Sequence, residues 1–175
     1  DYGGIFLLSQ KNLIVQSSFL NNQSLSPIFG GASVFTCNTF CQNLYIGSST
    51  ISNNTNATGF PALYVFNGAG QQLPREIKIS RSVFDNNSSS YGSAIMVRDY
   101  SLEQGSAITF KLNNSTLSDN TDDRNKGAVF FESGGFGAEP LPNIDVELNN
   151  NTVANNDLYG LAAPLLGSLT LRHNI

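Results

Sequence analysis

Apolar and polar residues alternate with a period of two over short stretches of the chain, as in Ile77-Lys78-Ile79, Phe110-Lys111-Leu112 and Ile144-Asp145-Val146-Glu147-Leu148. A strand turns successive side chains to opposite faces with that period, and no stretch sustains an apolar stripe at helical spacing. Short strands and almost no helix are therefore predicted. The strands recur in a fixed frame. Five segments place an apolar residue (Phe19, Ile51, Phe84, Leu117, Val153) three positions before an asparagine (Asn22, Asn54, Asn87, Asn120, Asn156), and these asparagines lie 32, 33, 33 and 36 residues apart. Eight residues before each asparagine stands Ile14, Ile46, Ile79, Leu112 or Leu148, and five before it Ser17, Ser49, Ser82, Ser115 or Asn151. Between repeats comes a small-residue element: Gly3-Gly4-Ile5, Gly30-Gly31-Ala32, Pro61-Ala62, Ser93-Ala94, Gly127-Ala128 and Leu161-Ala162. Large apolar residues follow it at Leu8, Phe35, Val65, Val97, Phe131 and Leu165.

A unit of about 33 residues with two or three short strands cannot bury its own apolar face, and coiling stacks equivalent strands in parallel until it is buried. The prediction is a single all-β domain over 1–175, a right-handed parallel β-helix of about six coils with long loops at one corner. Ankyrin and tetratricopeptide arrays have similar periods but need helical periodicity, and a propeller needs four strands per blade.

The pairing of F-x-x-N, met at Phe19 to Asn22 and Phe84 to Asn87, with a G-G-A-[ILV] element resembles the polymorphic outer membrane protein repeat. The second element is approximated at Gly30 to Ser33, Gly92 to Ile95 and Gly127 to Val129. The resemblance spans almost the whole chain and implies a right-handed parallel β-helix of the kind carried by surface and secreted proteins. Departures are Pro61 and Leu161 in place of a glycine, and Ile51, Leu117 and Val153 in place of the phenylalanine.

If aligned positions stack, Asn22, Asn54, Asn87, Asn120 and Asn156 form a ladder in which amides bond to one another and to turn backbone, a structural rather than ligand-binding role. From the small-residue column to the next Ile/Leu column the spacings are 9, 14, 17, 18, 20 and 9. The four middle coils thus carry insertions at one corner: Thr36 to Asn43, Asn67 to Glu76, Arg98 to Ala107 and Glu132 to Asn143. Phe40, Arg75, Arg98, Tyr100 and Phe136 sit there and form the candidate binding edge, since insertions on one face of a solenoid often make its binding face. One outward strand column collects charge, Tyr45, Lys78, Lys111, Glu147 and Thr170, and reads as an exposed salt-bridged stripe.

Composition narrows the function classes. Charged residues make up 13% of the chain, about half the usual share of roughly 25%, whereas Asn, Ser and Thr supply 53 of 175 residues. A net charge of -4 leaves no basic footprint for nucleic acid or anionic membrane, and no apolar run approaches the roughly 20 residues of a spanning helix. Cys37-Asn38-Thr39-Phe40-Cys41 reads as an intraloop disulfide of a secreted protein, because two sulfurs do not complete a zinc site and only His173 stands besides. Eight N-x-[ST] sequons begin at Asn22, Asn53, Asn56, Asn86, Asn87, Asn113, Asn114 and Asn150. Asn22 and Asn87 belong to the ladder and stay bare; Asn53, Asn56, Asn86, Asn113, Asn114 and Asn150 are the glycosylation candidates.

Glycoside hydrolysis needs two facing carboxylates, and elimination needs a base with calcium-binding acids. Asn120-Thr121-Asp122-Asp123 resembles part of a polygalacturonase signature, yet no Gly-His-Gly segment accompanies it, and Asp122 and Asp123 read as solvated turn residues. A triad fails on the lone His173. No enzyme, cofactor or metal is expected. The expectation is an extracellular structural or surface-display module of a filament or surface layer. The alternative is an adhesin or glycan-binding module using the looped edge. Partners would be other segments or subunits of the same assembly, glycans or cell-surface proteins. Both ends lack polar caps and are expected to continue into more protein or to be covered by a neighbour.

Overall fold

The computed structural model of the protein describes residues 5–7, 9–24, 34–38, 41–57, 59–68, 75–92, 94–100, 108–124, 126–133, 144–157, 159–163 and 166–175. The first coil comprises β1 (Ile5–Leu7), β2 (Lys11–Val15), β3 (Ser18–Leu20) and β4 (Gln23–Ser24). The second has β5 (Phe35–Cys37), β6 (Asn43–Gly47), β7 (Thr50–Ser52) and β8 (Thr55–Asn56), and the third β9 (Leu63–Asn67), β10 (Arg75–Ser80), β11 (Val83–Asp85) and β12 (Ser88–Ser89). The fourth has β13 (Ile95–Asp99), β14 (Ile108–Asn113), β15 (Thr116–Ser118) and β16 (Thr121–Asp122). The fifth keeps β17 (Val129–Ser133), β18 (Ile144–Asn149) and β19 (Thr152–Ala154), and the sixth β20 (Leu161–Ala162) and β21 (Ser168–Arg172). Every pairing is parallel, within four sheets of six, six, five and four strands, which makes a parallel β-helix. Against the expected count of about six, four coils carry all four strands among the described residues and the last two are shorter.

Register follows the apolar columns. Ile14, Ile46, Ile79, Leu112, Leu148 and Leu171 stack in one column of the β2-to-β21 sheet. Phe19, Ile51, Phe84, Leu117 and Val153 stack in the β3-to-β19 sheet. The core lies inside these walls, with Phe84, Phe110, Phe131, Ile51 and Ile79 fully buried. Each such side chain contributes about 1.5–3 kcal/mol on burial. The alternation thins at the ends: β14 reads buried and half-buried in turn, while β21 is exposed at four of five positions.

In the small-residue column the register corrects the sequence alignment by two residues. Phe35, Leu63, Ile95, Val129 and Leu161 are paired, so Val34 and Gly160, rather than Ala32 and Ala162, share the column of Ala62, Ala94 and Ala128. Cys37, not Phe35, aligns with Val65, Val97 and Phe131. Gly30 to Ser33, Leu8 and Leu165 lie outside the described residues. With the shift, the second coil's corner, from Thr36 to Asn43, is only one residue longer than that of the sixth between the equivalent positions Ala162 and Ser168.

Two corners share one local device. A residue at positive φ turns the chain, and the next residue hands its N–H to a side-chain oxygen one coil on. Gln16, Ser48, Arg81, Asn114, Asn150 and His173 hold the left-handed position at the first corner, and Asn21, Asn53, Asn86, Asp119 and Asn155 at the second, all with φ between 48° and 57°. Asn and Asp tolerate this region best among residues with a Cβ. The second corner carries the expected ladder. Asn22, Asn54, Asn87 and Asn120 donate side-chain amides to Asn54, Asn87, Asn120 and Asn156 at 2.8, 2.9, 2.9 and 2.9 Å. The first corner carries a second ladder, in which the N–H groups of Ser17, Ser49 and Ser82 donate to the hydroxyls of Ser49, Ser82 and Ser115 at 3.2–3.3 Å. It continues as Ser115 to Asn151 and Asn151 to Asn174. The serine column was visible in the sequence spacing; its bonding was not.

Candidate functional site: an aromatic and cationic face beside the looped corner

The insertions leave the solenoid where β5, β9, β13 and β17 end and β6, β10, β14 and β18 begin. Most of that corner, including Phe40 and Phe136, lies outside the described residues. The strands run further into it than the alternation suggested: Arg75 opens β10, and Arg98 and Glu132 lie in β13 and β17.

Arg75 is not part of an exposed binding edge. It is 2% exposed, and its Nη1 donates to the carbonyls of Asn38 and Phe66 at 3.2 and 3.0 Å, pinning the root of the corner. Burial pushes its guanidinium down to about 10, against the pull of the Asp99 charge. Beneath it Asn67 donates its amide to Asp99 Oδ1 at 2.9 Å, both residues being buried.

Arg98 and Tyr100 come together on the outward face of the β1-to-β20 sheet. Outward positions of neighbouring strands supply Tyr64, Met96 and Phe130, all buried, and Phe60, Phe66 and Tyr91 pack half-buried against them. Phe60 and Tyr64 stack at 4.0 Å between centroids with 7° between planes. Phe66 meets Tyr100 edge-on at 6.0 Å. The Arg98 guanidinium lies 5.2, 5.1 and 5.0 Å from the centroids of Phe60, Tyr91 and Tyr100, within cation–π range. Glu132 Oε2 accepts from its Nε at 2.6 Å and its Nη2 at 2.5 Å. Burial works to lower the Arg98 pKa, but the charges of Tyr64, Glu132 and Tyr100 outweigh it and the net shift is upward. Burial raises the Tyr64 hydroxyl to about 12 and also raises that of Tyr100.

On the next turn Arg124 lies 4.5 Å from the Tyr91 centroid, and Lys126 lies 4.7 Å from Phe130 and 6.0 Å from Tyr91. Asp122 builds that turn. Its Oδ1 accepts the N–H groups of Arg124 and Lys126 at 2.8 and 3.0 Å, and its Oδ2 those of Lys126 and Gly127 at 2.8 and 3.0 Å. Asp122 is thus a buried turn organiser, correcting its reading as a solvated residue, while Asp123 is exposed. This face was not legible in the sequence because Phe60 and Tyr91 stand at unequal offsets in their repeats, six residues after Asn54 and four after Asn87; the signal available was the outward column Tyr64, Met96, Phe130.

The other candidates fall into place individually. Cys37 and Cys41 form a disulfide with both residues buried. The charge column stacks in register, Lys111 pairing with Glu147 at 3.9 Å, and Glu76, two residues before Lys78 on the same strand, pairs with Lys78 at 2.9 Å and with Lys111 at 3.7 Å. Among the sequons, Asn53, Asn86, Asn114 and Asn150 are exposed at left-handed corner positions, Asn86 donating to Asn53 at 2.7 Å. Asn113 is half-buried and accepts from Asn149. Asn56 is corrected: it is 2% exposed, with its amide nitrogen donating to the Phe60 carbonyl, and offers no free acceptor nitrogen for a glycan. Asn87 is fully buried in the ladder, whereas Asn22 occupies its exposed end. Compared with known proteins, the chain matches no family profile, no curated protein and no solved structure.

Proposed function

We propose that the chain is a non-catalytic extracellular module, a rigid solenoid that serves as a structural or surface-display element of a filament or cell-surface layer. The observation that carries this reading is the asparagine ladder. Each interior rung accepts two donors from one neighbouring coil and donates to the next, so the buried polar capacity of the corner serves cohesion along the axis. The intraloop disulfide suits an oxidising compartment, and the exposed corner asparagines suit glycan attachment where the secretory pathway provides it. The resemblance to the polymorphic outer membrane protein repeat points the same way. The test is incubation of the folded protein with a panel of soluble polysaccharides, following reducing ends and unsaturated products. No turnover is expected, and turnover abolished by replacing one of the chain's own acids overturns the reading. A second reading, an adhesin or glycan-binding module, is favoured by the ring and cation cluster around Arg98, Tyr91 and Tyr100, which adjoins the looped corner.

A further inference from the structure

We infer that the turn carrying Arg124 and Lys126, together with Tyr91, is a binding site for an acidic saccharide, a sugar with one carboxylate per ring. This deepens the glycan-binding reading and stands apart from the structural one. Arg98 is not the anchor, because Glu132 already takes two of its N–H groups. Arg124 and Lys126 differ from it. Among the described residues neither has a carboxylate within ion-pair distance, and the carboxylate of Asp122, the acid that builds their turn, is occupied by backbone N–H groups of that turn. The Asp122 carboxylate fixes the turn, and ring contacts fix the side chains: Arg124 on Tyr91 at 4.5 Å and Lys126 on Phe130 at 4.7 Å. A guanidinium stacked on a ring is weakly hydrated and already ordered, so an incoming carboxylate gains a charge-assisted hydrogen bond at little cost in side-chain entropy.

The rest of the ligand's chemistry follows from what adjoins the two cations. Phe60 and Tyr91 are half-buried and meet edge-on, 5.7 Å apart, which puts apolar ring surface beside the two cations for contact with the C–H groups of a pyranose. Two cations do not make a track for a phosphate backbone, and the net charge of -4 repels a dense polyanion. A short oligosaccharide with one carboxylate per ring, whose total charge is small, satisfies both limits.

The experiment is a calorimetric or NMR titration of the intact protein with an oligogalacturonate, and with the same oligosaccharide fully methyl-esterified. The acid form is expected to bind, with the ester weaker by about tenfold, the loss of one charge-assisted contact. Arg124→Gln and Lys126→Gln are each expected to weaken binding of the acid form about as much, and Tyr91→Leu to weaken both forms. Lys78→Gln, on a different sheet, is expected to leave binding unchanged. Circular dichroism and melting temperature establish that each variant is folded. No binding of either form overturns the site. So does equal binding of acid and ester, unchanged binding in Arg124→Gln, or tighter binding of a duplex DNA oligonucleotide competing for the same residues. Cleavage of the probe, read from product masses, counts against the non-catalytic reading, while the Arg124 and Lys126 variants still decide the site.

Discussion

At an interior rung such as Asn120, the side-chain oxygen accepts the Asn87 N–H at 3.1 Å and the Asn87 amide at 2.9 Å. Its own amide donates to the Phe84 carbonyl and to Asn156. Removing it strands two buried donors and one carbonyl, so Asn120→Ala is expected to destabilise by about 1 to 3 kcal/mol. Chemical denaturation checks this, and an unchanged midpoint would show the column to be hydrated. The neighbouring left-handed column makes the opposite demand. Arg81 holds φ of 50° at an exposed corner where asparagine is better tolerated. Arg81→Asn is therefore expected to stabilise by about 0.5 to 1 kcal/mol, read as a rise in melting temperature. Tyr64 provides a pH handle. Burial raises its folded pKa to about 12 from an ordinary 10, so the folded state holds the proton more tightly. The stabilisation is complete below pH 10 and is lost as pH rises through 12, with about 2 to 3 kcal/mol at stake. Arg75, held down to about 10, acts in the opposite direction in the same range. The difference between wild type and Tyr64→Phe isolates the tyrosine: the gap between their stability curves should change steeply between pH 10 and 12, and parallel curves would place Tyr64 in water.

The turn from Asp122 into β17 depends on both ends of its chemistry, the carboxylate that gathers N–H groups and the glycine that closes the turn. Gly127 has φ of 88°, and a Cβ there would overlap the Tyr159 carbonyl oxygen of the next coil. Gly92 occupies a comparable place with φ of 80°, but a Cβ there would meet Met96 at an ordinary 3.7 Å. Gly92→Ala is expected to cost about 1 kcal/mol from backbone conformation alone, and Gly127→Ala clearly more, because backbone must also move. Equal losses in thermal melts would show that the two coils separate easily at this turn. The Cys37–Cys41 loop is short, so chain entropy assigns its disulfide about 2 kcal/mol. A double alanine variant should lose about that much in denaturant unfolding.

Along the whole solenoid, burial is complete in the middle coils and fails at the ends. Leu13 is 70% and Ile175 89% exposed, and an apolar cavity of about 210 Å³ opens between Leu148, Val153, Leu161 and Leu171. Open strand edges beside apolar surface favour association. Light scattering of the isolated 175-residue chain should show mass rising with concentration, and Leu171→Lys should suppress it. A concentration-independent monomer would contradict this.

Sequence alone determined the fold class, the inward columns of Ile79 and Phe84, the asparagine ladder and the disulfide, because each is a same-position repeat: identical offsets in successive coils stack whatever the loops do. The sequons partly follow from the same cause, since a left-handed Asn, a ladder Asn or Ser and a strand-opening Thr or Ser spell N-x-[ST] at Asn53, Asn86, Asn114 and Asn150. What broke the period was not legible. The two-residue shift at Val34 and Gly160 depends on where backbone hydrogen bonds settle, and the small residues nearby offered an equally good alignment. Whether Arg75 points in or out depends on which face of its strand it occupies after an insertion of irregular length, whereas Asn56 shares a regular column with Ser24, Ser89 and Asp122 whose polar residues gave no sign of being buried. The gathering of Phe60, Tyr91, Arg98 and Arg124 required coils to lie side by side, since residues 33 and 38 positions apart meet only when parallel stacking brings their outward faces together.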